Sequence, residues 1–233
     1  MDSSQRSKQA AGFAAADQIQ DGLRLGLGTG STVRFFIDRL GQRIQQEGIS
    51  VQGVPTSIHT QNLAEKLGIP IFNLDQMPEL DLVVDGADEV DPAFRTIKGG
   101  GGALLREKMV ATAAKRVLIV VGEGKMVPKL GSTFPLPVEV VPFGLTFTQR
   151  QIADLGCRPL LRRKSDGNLF QTDNQHYIFD CEFSGGIADP ESLHARLLAL
   201  PGVVETGLFL DLCHGVVEGL ADGSVRHHHR STG

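Results

Sequence analysis

No two cysteines of this 233-residue chain stand in C-x-x-C spacing: Cys157, Cys181 and Cys213 are odd in number and far apart. That argues against a disulfide scaffold and against a zinc site, and fits reduced thiols in a cytoplasm. Long apolar runs are also missing, so no segment is expected to span a bilayer. The first twenty residues mix Asp2, Arg6, Lys8 and Asp17 with glutamines and hold no apolar signal-peptide core, so a cytoplasmic location is expected. Basic excess is absent as well. The formal net charge is −4 and the lysines and arginines are scattered, which leaves no stripe for nucleic acid and no patch for an anionic membrane. Serine-hydrolase chemistry finds no G-x-S-x-G, and no histidines are paired at metal spacing in the expected folded part. His227, His228 and His229 lie in residues 225–233, which are expected to form a disordered tail.

What is present is an alternation. With 41% apolar composition the chain can bury one substantial core and a smaller second one. A helix over Ala10 to Ile19 leads to a strand Leu23 to Leu27, a glycine-rich turn Gly28-Thr29-Gly30-Ser31-Thr32, and a helix with Val33, Phe36, Ile37 and Leu40 on one face. Strands at Ile49 to Gln52, Ile69 to Phe72, Leu82 to Val84 and Val117 to Val121 continue the rhythm, with helices at Gln61 to Leu67 and from Ala103. Such alternation predicts a parallel sheet covered on both faces. Phe134-Pro135-Leu136-Pro137 breaks it. Beyond lies a β-α-β-β-α-β order, with Asp189 and Pro190 starting the second helix, which suggests a ferredoxin-like unit. The fold expected is therefore α/β: a Rossmann-like parallel-sheet domain, 1–132 completed by 211–224, with a smaller inserted α+β domain at 133–210.

The chemistry concentrates at Asp85-Gly86-Ala87-Asp88-Glu89-Val90-Asp91 and at Lys98-Gly99-Gly100-Gly101-Gly102 with Arg106-Glu107-Lys108. The acids begin where an apolar strand stops, at a carboxyl-end tip, the place where open α/β sheets bind ligands. Glycines leave backbone N–H groups free to approach a ligand oxygen. Glu107 lies about one turn into a helix, beside its positive end. The turn at Gly28 has the arrangement that cradles a phosphate, and the same pattern also serves as a plain tight turn. It lacks the Walker lysine, and Ser31 replaces the third glycine of a dinucleotide fingerprint. On pattern alone, an acidic strand tip can be merely solvated, a glycine run can be a connector, and Lys125 in Gly122-Glu123-Gly124-Lys125 reads as a surface lysine. His59 reads as a helix-start residue.

These blocks together, with Phe134-Pro135-Leu136-Pro137-Val138-Glu139-Val140, resemble the A type of ribose-5-phosphate isomerase in order and spacing, from about Lys8 to Gly223. The resemblance implies interconversion of ribose 5-phosphate and ribulose 5-phosphate in the pentose phosphate pathway, without metal or organic cofactor. It implies Glu107 as the base, Asp85, Asp88 and Lys98 around the sugar oxygens, and substrate binding by Thr29, Gly30, Ser31, Thr32, Gly86, Ala87, Gly99, Gly100, Gly101 and Lys125. Lys8 matches a family lysine near the phosphate. The family forms homodimers or homotetramers. Gly102 departs from its pattern, which has Ala, and is expected to loosen the helix start. Two rival readings stay open: a non-catalytic sugar-phosphate sensor, and a metal-dependent isomerase using Asp85, Asp88 and Asp91.

Overall fold

The structure is a computed structural model that describes residues 2–230. In chain order its elements are α1 (Ser3–Ala16), β1 (Arg24–Leu27), α2 (Ser31–Glu47), β2 (Gln52–Pro55), α3 (Ile58–Lys66), β3 (Leu82–Asp85), β4 (Glu89–Val90), β5 (Thr96–Ile97), α4 (Leu104–Thr112), β6 (Val117–Gly122), β7 (Leu136–Val140), α5 (Leu145–Ala153), β8 (Arg158–Leu161), β9 (Tyr177–Glu182), α6 (Pro190–Leu198), β10 (Val203–Thr206), β11 (Leu208–Phe209), β12 (Gly215–Gly219) and β13 (Val225–His229). They divide into two compact units. One holds the residues up to Ala87, Arg106–Lys125 and those from Leu212; the other holds Asp88–Leu105 and Met126–Asp211.

The first unit is a six-stranded sheet in the order β13-β12-β6-β3-β1-β2, parallel except for β13. Side chains alternate across it. Leu25, Leu27 and Val84 join Phe36, Ile37 and Leu40 of α2 and Ala11 and Ala15 of α1 in one apolar core. The other face of β1 and β3 meets α4: a Cβ on Gly26 would lie 2.4 Å from Val83 and 2.7 Å from Val110. α1 begins at Ser3, seven residues before the start expected, because Asp2 caps it with Oδ1 accepting from Gln5 N–H at 2.7 Å. Gly12 sits inside α1 where a Cβ would be 2.7 Å from the Phe36 nitrogen, so the glycine permits the close approach of α1 to α2. At the amino ends of the strands, Asp81 accepts from Arg24 and Lys115. The Arg24 hydrogen bond, then that of Lys115, holds its carboxyl well below the usual carboxylate range. Its contribution is therefore present above about pH 4 and lost as the pH falls.

The second unit contains an antiparallel sheet, β10-β7-β9-β8, traced in β-α-β-β-α-β order as expected. Val138, Val140, Phe179 and Cys181 pack with Ile152 of α5 and Leu193 and Leu197 of α6. Asp189 caps α6 through Ser192 N–H at 3.0 Å, with Pro190 in its first turn. A three-stranded ribbon, β11-β5-β4, completes the unit. Three expectations are corrected here. Residues 88–105 and 126–132 group with the smaller unit, because β5 pairs with β11 and Val127 N–H donates to Val90. Residues 225–229 are an edge strand on β12, where Glu218 accepts from His228 at 2.9 Å, and residues 231–233 of the expected tail lie outside the described residues. The strand expected at Ile69 to Phe72 is reduced to a single bridge, Gly53 to Ile71. No helix among the described residues is long and apolar enough to cross a membrane.

One buried acid holds the second unit's connection between β4 and the loop before β7. Glu89 is 0% exposed; its Oε1 accepts from Thr133 N–H, the Thr133 hydroxyl and Phe134 N–H at 2.6–2.8 Å, and its Oε2 accepts from Gly131 N–H at 2.5 Å. Removing the carboxylate strands several buried donors, each costing about 1–3 kcal/mol. Glu89→Ala is therefore expected to lower unfolding free energy by about 3 kcal/mol or more, read by urea denaturation followed by circular dichroism. A loss below about 1 kcal/mol would show that the loop finds other acceptors.

Candidate active site

In the first unit the chain turns to one side of the sheet after β1 and to the other after β3. β1 and β3 are neighbours, so the topological switch falls between their carboxyl ends. Gly28 follows β1 and Asp85 ends β3. A Cβ on Gly28 would lie 2.1 Å from Asp85 Oδ1 and 2.5 Å from its Cα, so no other residue fits without displacing that strand end. Asp85 is 1% exposed, and its Oδ1 accepts from Thr29 N–H at 3.0 Å and from Gly86 N–H at 2.7 Å. Gly30, at φ 134°, then turns the chain into α2, whose 17 residues begin at exposed Ser31 and buried Thr32. The positive end of a long helix is thus presented at the switch point, as an anion site requires.

The Thr29 hydroxyl is occupied elsewhere. It lies 2.7 Å from the Thr56 hydroxyl and 2.8 Å from that of Ser57; Ser57 donates to Thr60 at 3.1 Å, and Thr60 donates to the Gly28 carbonyl at 2.8 Å. Each hydroxyl has one proton. With the protons of Thr60, Ser57 and Thr29 assigned in turn, Thr56 must donate to Thr29, and the chain runs Thr56, Thr29, Ser57, Thr60, Gly28. It begins at the end of β2 and closes on the turn itself. Thr56, Ser57 and Thr60 were not among the expected site residues, and only the N-cap position of Ser57 before α3 marks one of them in the sequence. His59 is the exposed second residue of α3, a helix-start residue as read.

Glu107 is the fourth residue of α4 and 3% exposed. Val110, three residues on, covers Gly26 of β1, so Glu107 shares the face turned to the sheet and lies one turn nearer the positive helix end. Lys125 follows the turn after β6, and Lys8 comes to the same strand: a Cβ on Gly122 would be 3.1 Å from Lys8 Cγ. The first unit therefore gathers Thr29, Gly30, Ser31, Thr32, Asp85 and Gly86 at the switch, with Glu107 and Lys125 on neighbouring elements. Ala87 is its last residue before the chain enters the second unit.

In the second unit, Asp88 Oδ2 accepts from Gly100 N–H at 2.8 Å, and a Cβ on Gly100 would be 2.6 Å from Asp88 Oδ1. Lys98, 3% exposed, follows β5; its N–H donates to Gly207 and its ammonium lies 5.3 Å from the centre of the Phe209 ring. The expectation of several open amides across the glycine run is corrected: Gly100 N–H is spent on Asp88, and Gly102 N–H on the Gly99 carbonyl at 2.9 Å. Gly101 lies between these two, exposed. Gly102 does not loosen α4. It precedes the helix at φ 81°, and a Cβ there would be 2.3 Å from the Phe170 ring, so glycine is what this turn accepts.

The acids after β3 have separate tasks. Asp91 spends Oδ1 on the N–H groups of Ala93 and Arg95 and Oδ2 on the Arg95 guanidinium at 2.7 Å. Asp91 thus closes a turn on Arg95 within the second unit.

A family model described as ribose 5-phosphate isomerase A (phosphoriboisomerase A) matches residues 52–223. The ribose-5-phosphate isomerase A of Parvibaculum lavamentivorans is 48% identical over 223 residues, covering 93% of this chain and 95% of the relative, and that of Bacillus mycoides is 48% identical over 216 residues, covering 93% and 96%. Among solved structures, the ribose 5-phosphate isomerase of Plasmodium falciparum superposes with a TM-score of 0.92 at 34% identity, over 95% of this chain and 97% of that one. A D-ribose-5-phosphate isomerase in complex with phospho-erythronic acid gives 0.91 at 37% identity, over 96% and 97%.

Cutting the hydroxyl chain at its middle tests the geometry. Ser57→Ala removes the acceptor of Thr29, the donor to Thr60 and the cap that Thr60 N–H uses at 3.1 Å. Stability is expected to fall by about 1–2 kcal/mol in chemical denaturation, with Thr56→Val, at the chain's outer end, costing less. Equal losses for the two variants would contradict the assigned direction.

Proposed function

Because this chain belongs to the ribose 5-phosphate isomerase A family, we propose that it interconverts D-ribose 5-phosphate and D-ribulose 5-phosphate, in the non-oxidative branch of the pentose phosphate pathway, with Glu107 as its base. The observation that carries the assignment of the base is a buried carboxylate in the first turn of α4, on the face turned to the strands at the topological switch.

The roles follow from the chemistry. In the open-chain aldose Glu107 takes the proton from C2 as the C1 carbonyl oxygen gains negative charge; the O2 hydroxyl proton passes to O1, leaving the C2 carbonyl, while the carboxylate delivers to C1 a proton that exchanges with solvent between turnovers. Donors for the enediolate oxygen and a group to open the sugar ring complete the reaction. We assign the Lys98 ammonium and the Gly99–Gly101 segment to the oxygens, and Asp85 and Asp88 to the sugar hydroxyls and ring opening. The phosphate dianion is assigned to the start of α2 at Gly30, Ser31 and Thr32, with Lys125 and Lys8 supplying charge. Thr29 supports that loop with its hydroxyl turned to the chain of Thr56, Ser57 and Thr60. No metal or organic cofactor takes part in this reading. A homodimer or homotetramer in the cytoplasm belongs to the same proposal; Phe143 and Phe147, 91% and 62% exposed, offer apolar surface to a second copy.

The direct test is conversion of ribose 5-phosphate in excess EDTA. Turnover is expected unchanged by the chelator, and loss restored by Mg²⁺ or Mn²⁺ would overturn the metal-free mechanism. Glu107→Gln keeps the shape of the side chain and removes its basicity, so kcat is expected to fall by about 10²- to 10⁴-fold while ribose 5-phosphate still binds. A sugar-phosphate sensor would bind the sugar and turn over nothing in either form. Lys125→Ala is expected to weaken substrate binding roughly ten- to a hundredfold through loss of a charge-assisted contact, measured as KM.

A further inference from the structure

Within the second unit, the peptide that joins Gly99 to Gly100 is held at both ends. Its carbonyl accepts from Arg162 Nη1 at 2.7 Å, and its N–H donates to Asp88 Oδ2 at 2.8 Å. Arg162 is itself fixed: Nε and Nη2 form a two-point pair with Asp180 at 2.9 and 2.5 Å, and its guanidinium lies 5.6 Å from the centre of the Phe170 ring. The pair is shielded, with the two side chains 11% and 22% exposed. Nη1 also lies 3.3 Å from the Gly100 carbonyl.

The order is Asp180 carboxylate, Arg162 guanidinium, Gly99–Gly100 peptide, Asp88 carboxylate. In a trans peptide the carbonyl and N–H point in opposite directions, so gripping both fixes the plane. The grip matters because the two residues are glycines, which rotate about this plane more freely than any other residue. A cation on the carbonyl also polarises the peptide and strengthens its N–H as a donor to the carboxylate. A fork that serves a carboxylate and a carbonyl at once suits Arg; a Lys ammonium is a point charge and serves one side at a time.

We propose that Arg162, braced by Asp180, is a positioning residue for the isomerase reaction: it aims the Asp88 carboxylate through the Gly99–Gly100 peptide without touching the sugar. The inference rests on the isomerase reading and on the role given there to Asp88.

A double-mutant cycle tests it. Arg162→Met keeps the stem and removes the fork. In the wild-type background it is expected to lower kcat by roughly 10- to 100-fold, with KM for ribose 5-phosphate and inhibition by inorganic phosphate changed by less than about threefold. In an Asp88→Asn background the same change is expected to lower kcat by less than about threefold, because a residue acting through Asp88 has nothing left to aim. Arg162→Lys is expected to recover part of the loss. If Arg162→Met fails to fold, Asp180→Asn is carried through the same cycle, since it frees the guanidinium and leaves the stem in place. Full loss repeated in the Asp88→Asn background, or unchanged kcat in the wild-type background, overturns the proposal. Absence of turnover in the wild-type protein would instead strike the isomerase reading itself.

Discussion

A buried carboxylate with no room beside it governs the first unit. Asp85 ends β3 at the topological switch, accepts two backbone N–H groups and stands where Gly28 leaves no side chain. Burying such a charge without hydrogen bonds would be costly. Thr29 and Gly86 supply them, so the carboxylate and the turn hold each other. The turn then delivers Gly30 and the positive end of α2 to one place, and the hydroxyl chain from Thr56 fixes it from behind. A loop that must bind a dianion with backbone groups benefits from this bracing, because each rotation frozen beforehand is one the ligand does not have to freeze.

The acids that follow show how one short stretch is divided among unlike tasks. Asp85 braces the turn after β1, Asp88 takes the Gly100 amide, Glu89 gathers residues 131–134, and Asp91 closes a turn on Arg95. Adjacent residues of an extended chain point to opposite sides, so Asp88 and Glu89 serve different surroundings although they are neighbours in sequence. The chain changes unit between Ala87 and Asp88 as well, so this acidic stretch is also one of the covalent links from the sheet to the second unit.

Much of this could be read from residue order. The stripe of Val33, Phe36, Ile37 and Leu40, the Gly28 turn and the Asp189-Pro190 helix start are local signals, and local physics produces them. The βα rhythm carried the parallel sheet, and the family blocks carried the isomerase reading. What stayed hidden depends on residues far apart in the chain. The hydroxyls of Thr29 and Thr56 meet across 27 residues, and Arg162 reaches Gly99 across 63. Glu89 looks like one more acid until residues 131–134 fold onto it. The edge strand at Val225 was missed because a histidine-rich terminus has no apolar period, yet pairing to β12 needs only its backbone. Gly102 was misjudged for a related reason: its cost as a helix residue is irrelevant where the chain requires a positive φ and Phe170 fills the space.

If a carboxylate on α4 moves a proton between two sugar carbons, solvent isotope incorporation shows it most directly. Wild-type protein incubated with ribose 5-phosphate in heavy water through many turnovers should place deuterium at C1 of ribulose 5-phosphate and at C2 of the ribose 5-phosphate pool, followed by proton NMR, because a proton carried on a carboxylate exchanges with solvent. A sugar that interconverts fully yet gains no deuterium would mean that hydrogen passes directly between the carbons, and would contradict Glu107 as the base.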